Sequence, residues 1–242
     1  MIYRETPSGE GVSVNPRGGP LDDLLVEGLL FGHHRVHCRR VQPLEIELSG
    51  LEIKKYPNCY ATHRATDAVL IMRKEGRINI SNIKAVHVTS NAGAHAPLVH
   101  NSPNTGTEAR FSMEYAVAAA LLDGRLGLAS FNDTQVVRAD IRALTPLISA
   151  SEADGPTFPR WTHVRITHND ESVVDHTVTN VSGGASSPMS LEELHLKVED
   201  CFSFASCPID AGRFIELCEA GGDTWIHDLL MLLHTPAPSK VL

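Results

Sequence analysis

The stretch KKYPNCYATHRATDAVL, residues 54–70, places two lysines, a Tyr-Pro turn and a Thr-His pair directly ahead of an apolar helical pattern. Lys54 and Lys55 close an extended segment, Pro57 turns the chain, and a helix begins near Tyr60–Thr62. The free N–H groups and positive dipole end of such a helix attract an anion, and a neighbouring ammonium adds to that attraction. A lysine in this position can grip a carboxylate and, when partly desolvated, can move protons. Two solvated lysines at a strand end are the commoner arrangement, and residue types alone leave both readings open.

Other chemistry-bearing residues are weaker candidates. His63 and Asp67 stand at i and i+4 on the same helix. They offer two metal ligands where a metal needs more, so a hydrogen-bonded pair on the helix surface is the expectation. His33, His34, His37 and Cys38 are ligands by type, but their spacing matches no closed four-ligand pattern. No metal site is expected, beyond adventitious binding there. Tyr115 lies on an apolar helical face, where it either fills core or points its hydroxyl into a site. His163, His168 and His176 fall on strand-like segments and suit a sheet face. No G-x-S-x-G, Walker A or G-x-G-x-x-G sequence occurs, which argues against common hydrolase, kinase and Rossmann chemistry.

The chain of 242 residues is 42% hydrophobic, enough for one large or two small domains with a real core. Its net charge of −8, without a basic stripe, argues against nucleic acid as a partner. No apolar run reaches the roughly 18 residues of a membrane span, and MIYRETPSGEG lacks the apolar core of a signal peptide. Five scattered cysteines with no C-x-x-C pair fit reduced thiols in the cytoplasm.

The elements that must position these residues follow from periodicity. Residues 1–45 read as a loosely ordered leader with one short helix in LDDLLVEGLL, 21–30. Apolar alternation over 44–56 predicts a strand, residues 60–73 a helix closed by Gly76, and 78–90 a second strand. Thr105-x-x-Glu108 is a capping box that opens a helix running to Gly124, with Phe111, Tyr115, Ala118, Ala119 and Leu122 on one face. Residues 131–149 read as helical with Asp133 as N-cap. Residues 161–170 and 172–181 read as two strands turning at Asn169-Asp170. Ser190-x-x-Glu193 opens another helix, and helices over about 208–220 and 224–234 finish the chain before a frayed tail. The order is not a regular β-α-β alternation. It predicts an α+β fold with mainly antiparallel pairing: an α+β domain over 46–190, then C-terminal helices over 191–242.

Two stretches carry more than generic chemistry. K54-x-Y-P-x-C-x-x-T-H-R-x-x-D-A68 and E108-A-R-F-S-x-x-Y-A-V-A-A-A-L-L-D-G124, with Leu196-Lys-Val-Glu-Asp-Cys201 after them, resemble the MmgE/PrpD family of 2-methylcitrate dehydratase, cis-aconitate decarboxylase and iminodisuccinate epimerase. The likeness covers about residues 46–234. It implies a small α+β lid whose active-site cleft lies against a large helical domain. It implies small polycarboxylate substrates, proton removal beside a carboxylate, and no metal or organic cofactor. Lys54 matches the family's active-site lysine and Tyr115 its active-site tyrosine, while Thr62, His63 and Arg64 fall in its substrate-facing Thr-His block. The family's other catalytic residues belong to the helical domain, for which residues 1–45 supply no counterpart. The expectation is therefore half a site: a lyase subunit completed by a homodimer or a separate helical partner chain, or else a truncated relic serving as a non-catalytic binding module.

Overall fold

The computed structural model describes residues 50–206, 209–221 and 225–234. The chain divides after Gly50 into two units, and the second, Leu51–Leu242, carries the elements described below. The leader helix, the His33–Cys38 cluster and the 44–48 part of the first expected strand lie outside the described residues. So do Cys38 and Cys207; Cys59, Cys201 and Cys218 are free thiols.

A four-stranded sheet organises this unit, in the order β2-β1-β3-β4. Its strands are β1 (Ile83–Asn91), β2 (Ile148–Ala153), β3 (Thr162–His168) and β4 (Val173–Val178). β1–β3 and β3–β4 are antiparallel, and β1–β2 is parallel, with Val86 opposite Ile148. The fold is α+β. Period-2 burial makes the sheet two-faced: Val86, Val88, Val164, Ile166 and Val178 are buried, while His87, Arg165 and Thr177 are exposed.

Two helices cover the apolar face. α1 (His63–Lys74) packs on β3 and β4, and α3 (Met113–Asp123) packs on α1 and β2. Both owe their fit to small residues. Ala65 and Ala68 on α1 and the run Ala118–Ala120 on α3 are fully buried, so the backbones approach closely around Met72, Val69 and Val117. Gly76 and Gly124, both at φ +68, end the two helices as the sequence predicts. Arg73 then reaches across from α1 to hydrogen-bond the Leu121 carbonyl in the last turn of α3.

The fold departs from the sequence expectations in three places. Residues 51–55 join no sheet ladder, and Leu51 is 72% exposed, so the apolar alternation there marks no buried face. The stretch is held by the Ile53 N–H donating to the Gly183 carbonyl at 2.8 Å. The helix expected from Thr105 to Gly124 breaks in two. Thr105 caps only the short α2 (Gly106–Ala109), and Ser112, whose Oγ accepts from the Tyr115 N–H at 3.1 Å, caps α3 anew. Phe111 falls in that break and is 41% exposed. Residues 131–149 likewise split into α4 (Asp133–Val136), α5 (Ala139–Leu144) and the edge strand β2. The Asp133 carboxylate accepts from the Gly106 N–H at 2.7 Å instead of capping its own helix.

C-terminal helices follow as expected: α6 (Leu191–Phe204), α7 (Ala211–Ala220) and α8 (Trp225–Leu233). Ser190 and Glu193 form the predicted capping box on α6. Phe202 meets Phe214 edge-on at 5.2 Å between α6 and α7. Among the described residues no helix is long and apolar enough to cross a membrane.

Candidate functional site

The start of α1 is built by a tight turn. Pro57 reverses the chain, a 3-10 turn spans Tyr60–Thr62, and α1 follows. Thr62 is fully buried and its hydroxyl is spent on the turn: it accepts from Asn58 Nδ2 at 2.8 Å and donates to the Cys59 carbonyl at 2.9 Å. No side chain caps the helix and no acid stands in its first turn, so its positive end is uncompensated from within.

His63 opens that helix, fully buried, with neither ring nitrogen hydrogen-bonded. Its ring sits 5.1 Å from that of Tyr56, edge-on, and 4.9 Å from that of Tyr60. Burial pushes its pKa down to about 4, and the positive charges of Lys54 and Lys197 add to this. The Asn58 backbone, which acts the other way more strongly than either lysine, and then the Tyr56 backbone offset part of the shift without making a well-aligned bond. The imidazole is therefore neutral at pH 7, with one donor and one acceptor unused. Asn58, 5% exposed, has its Oδ1 unpaired, and so is the buried Nε of Arg110. Arg110 lies beside this turn, its carbonyl accepting from the Cys59 N–H at 2.9 Å. Among the described residues, every buried side-chain polar atom without a partner belongs to Asn58, His63 or Arg110. Such atoms are rare in folded proteins, and each calls for an explanation.

The two lysines divide their roles. Lys55 pairs with Glu193 at 2.6 Å, tying the loop to the first turn of α6. The same glutamate accepts from the Ser190 N–H at 2.9 Å, and these two donors hold its pKa below the usual carboxylate range. Lys54 is exposed and has no carboxylate partner among the described residues.

The remaining sequence-derived residues are engaged elsewhere. Arg64 donates through Nε to the Thr179 carbonyl at 3.0 Å, and burial lowers its pKa. Asp67 is buried rather than on the helix surface. It accepts from Tyr56 Oη at 2.6 Å and from the Ser182 N–H at 2.8 Å, so it forms no pair with His63. No cluster of three or more metal-ligating side chains exists among the described residues. Tyr115 is 1% exposed, its hydroxyl donates to the Ser130 carbonyl, and burial raises its pKa to about 12. Its ring lies 5.7 Å from Phe131, over which the Arg110 guanidinium sits at 5.9 Å. The structure thus gathers Lys54, Thr62 and His63 at one helix start and links Tyr115 to that place through Phe131 and Arg110.

Asn58, Arg110 and Lys197 were not singled out by sequence. Asn58 carried a faint signal as the residue after a turn proline. Arg110 fell inside the E108-A-R-F-S motif, but nothing set it apart there, because the helix break at that point lies inside an apparently continuous helix.

The fold is an α+β domain whose first helix starts beside buried polar atoms without partners. A family model of the MmgE/PrpD C-terminal domain matches residues 56–217, and the chain belongs to that family. No curated protein matches it.

Proposed function

We propose that this domain is the carboxylate-gripping half of an MmgE/PrpD-type lyase. Its substrates are small polycarboxylates of the 2-methylcitrate or cis-aconitate kind, and the reaction begins with proton removal beside a carboxylate. One observation carries the reading: an uncapped helix start, flanked by Lys54 and Lys197, holds a neutral His63 whose nitrogens no protein group uses. A substrate carboxylate supplies the negative charge and acceptors that this place lacks, in a partly dry setting where charge-assisted hydrogen bonds are strong. Lys54 is the carboxylate anchor, and Thr62, His63 and Arg64 form the turn that receives the ligand. Tyr115 serves as a hydrogen-bonding partner in the reaction once its hydroxyl leaves Ser130. The family's helical domain completes the acid/base set. It docks on the C-terminal helices, where Leu196, Phe204 and Leu230 are exposed.

A second reading, a binding module without turnover, is favoured by the engagement of the Tyr115 hydroxyl with Ser130. The chain combined with an MmgE/PrpD helical domain and incubated with 2-methylcitrate, citrate and cis-aconitate decides between them: unsaturated acid followed by ultraviolet absorbance and mass supports the lyase, and binding without turnover supports the module. Calorimetry of the Lys54→Ala variant tests the site itself. Citrate affinity is expected to fall at least tenfold with the melting temperature unchanged; unchanged affinity removes Lys54 from the site.

A further inference from the structure

We propose that Arg110 is a second carboxylate-binding residue of this site, gripping one carboxylate of a polycarboxylate as a fork while Lys54 takes another. The inference rests on the carboxylate function proposed for the helix start and adds a residue to it.

Arg110 differs from the other arginines in what its side chain meets. Of the half-buried arginines among the described residues, Arg64, Arg73 and Arg160 donate to backbone carbonyls. Arg138 pairs with Asp123 and Asp140, and Arg142 bonds Ser102 and Asn104. Arg110 is the one whose guanidinium hydrogen-bonds no protein group, and its Nε is buried. The sequence holds 29 acidic residues against 21 lysines and arginines, so counter-ions are not scarce. A partly buried charge left unpaired is costly, and such a cost persists where the charge has a ligand to meet. A guanidinium matches a carboxylate with two parallel N–H donors, which a lysine cannot do.

Position supports the same conclusion. Arg110 is fixed from both sides: its N–H donates to the Gly106 carbonyl at 3.2 Å, and its carbonyl takes the Cys59 N–H at 2.9 Å. The Arg110 guanidinium carbon lies over the Phe131 ring, 5.9 Å from its centroid. Its neighbours at the turn, Asn58 and His63, are the other side chains with unpaired buried atoms. The segments that carry these three side chains are joined by the Cys59–Arg110 backbone hydrogen bond and held by the caps on α2 and α3.

The test uses the full chain and citrate. Arg110→Gln, Arg110→Lys and Lys54→Ala are compared with the native protein by calorimetric titration, with thermal melts to verify folding. Arg110→Gln is expected to weaken citrate binding ten- to a hundredfold and Arg110→Lys about tenfold, since a point charge replaces the fork. The Arg110 Nε–Hε resonance of the native chain, followed by NMR, should shift saturably with citrate. Should Arg110→Gln not fold, that resonance decides. Folded Arg110→Gln binding citrate as the native chain does, while Lys54→Ala loses it, overturns the role of Arg110 and leaves the carboxylate site standing. That role is equally overturned if the Cys59–Arg64 amides shift and the Arg110 Nε–Hε signal does not. Absence of any saturable citrate binding by the native chain overturns both.

Discussion

Two parts of this domain use the same residue types in opposite ways. On the open face of the sheet, His87 reaches Ser149 Oγ and Ser151 Oγ, each at 2.9 Å, His163 reaches Thr177 Oγ1 at 2.8 Å, and Arg165 faces Asp175 at 3.8 Å. Together with Thr89 and Trp161 they line a shallow groove of about 300 Å³, and by shape alone that groove would be the first place to look for a ligand. Around the start of α1, His63 and Asn58, with Arg110 tied to the same turn through its carbonyl, carry buried polar atoms that go unused. The sheet residues are exposed and satisfied by cross-strand neighbours, so they need nothing further. The helix-start residues hold buried polar atoms that are unsatisfied, at a cost that packing elsewhere must offset. Unused hydrogen-bonding capacity, more than concavity, separates the two.

The largest expected effect breaks the framework under the site and spares the sheet. Gly183 stands at φ +86 with its backbone against the Ile53 carbonyl, just before Lys54. A Cβ there meets that carbonyl in a backbone conformation that side chains disfavour. Gly183→Ala should therefore cost on the order of 3 kcal/mol. Hydrogen exchange should show opening around residues 51–55 before β1 and β3; uniform loss of protection would show that this glycine does not act locally.

Next in size is a pH effect peculiar to the helix start. His63 titrates at about 4 in the folded chain against 6.5 when free, so the unfolded chain takes the proton first. Its stabilising share is full above pH 6.5 and is lost as pH falls toward 4, roughly 3 kcal/mol across the window, levelling below it. His63→Leu should flatten that slope and also stabilise the unliganded chain at pH 7 by about 1 kcal/mol, since two unpaired nitrogens vanish. Urea melts from pH 4 to 7 check both; an unaltered slope would assign the acid sensitivity to other groups.

The smallest effect belongs to the sheet. His87→Ala removes two exposed hydrogen bonds and should change stability by no more than about 0.5 kcal/mol. Citrate affinity should stay as in the native chain. A clear loss of affinity would move the ligand to the groove and reverse the comparison.

Much of this was legible in the chain itself. Alternation placed β1, β3 and β4, and the Ser190–Glu193 box and Gly124 marked helix ends, because these signals act within a few residues. The Lys-x-Tyr-Pro and Thr-His stretch pointed to the helix start for the same reason. The edge strand β2 was missed, as its parallel pairing with β1 is made across some sixty residues and its short sequence, ISASEA, shows no strong period. Asp67 looked like a surface partner of His63 because spacing fixes which residues share a helix face. It says nothing of Tyr56 and Ser182 arriving from elsewhere.

Sequence by itself determined the α+β class, most element boundaries and the family, since each depends on local periodicity, capping or a contiguous motif. Tertiary structure decided which polar groups are spent and which are unused. It gave Lys55 to Glu193 and the Tyr115 hydroxyl to Ser130, and left both His63 ring nitrogens, Asn58 Oδ1 and Arg110 Nε without partners. Those outcomes turn on contacts between segments far apart in the chain, where burial sets the worth of every hydrogen bond.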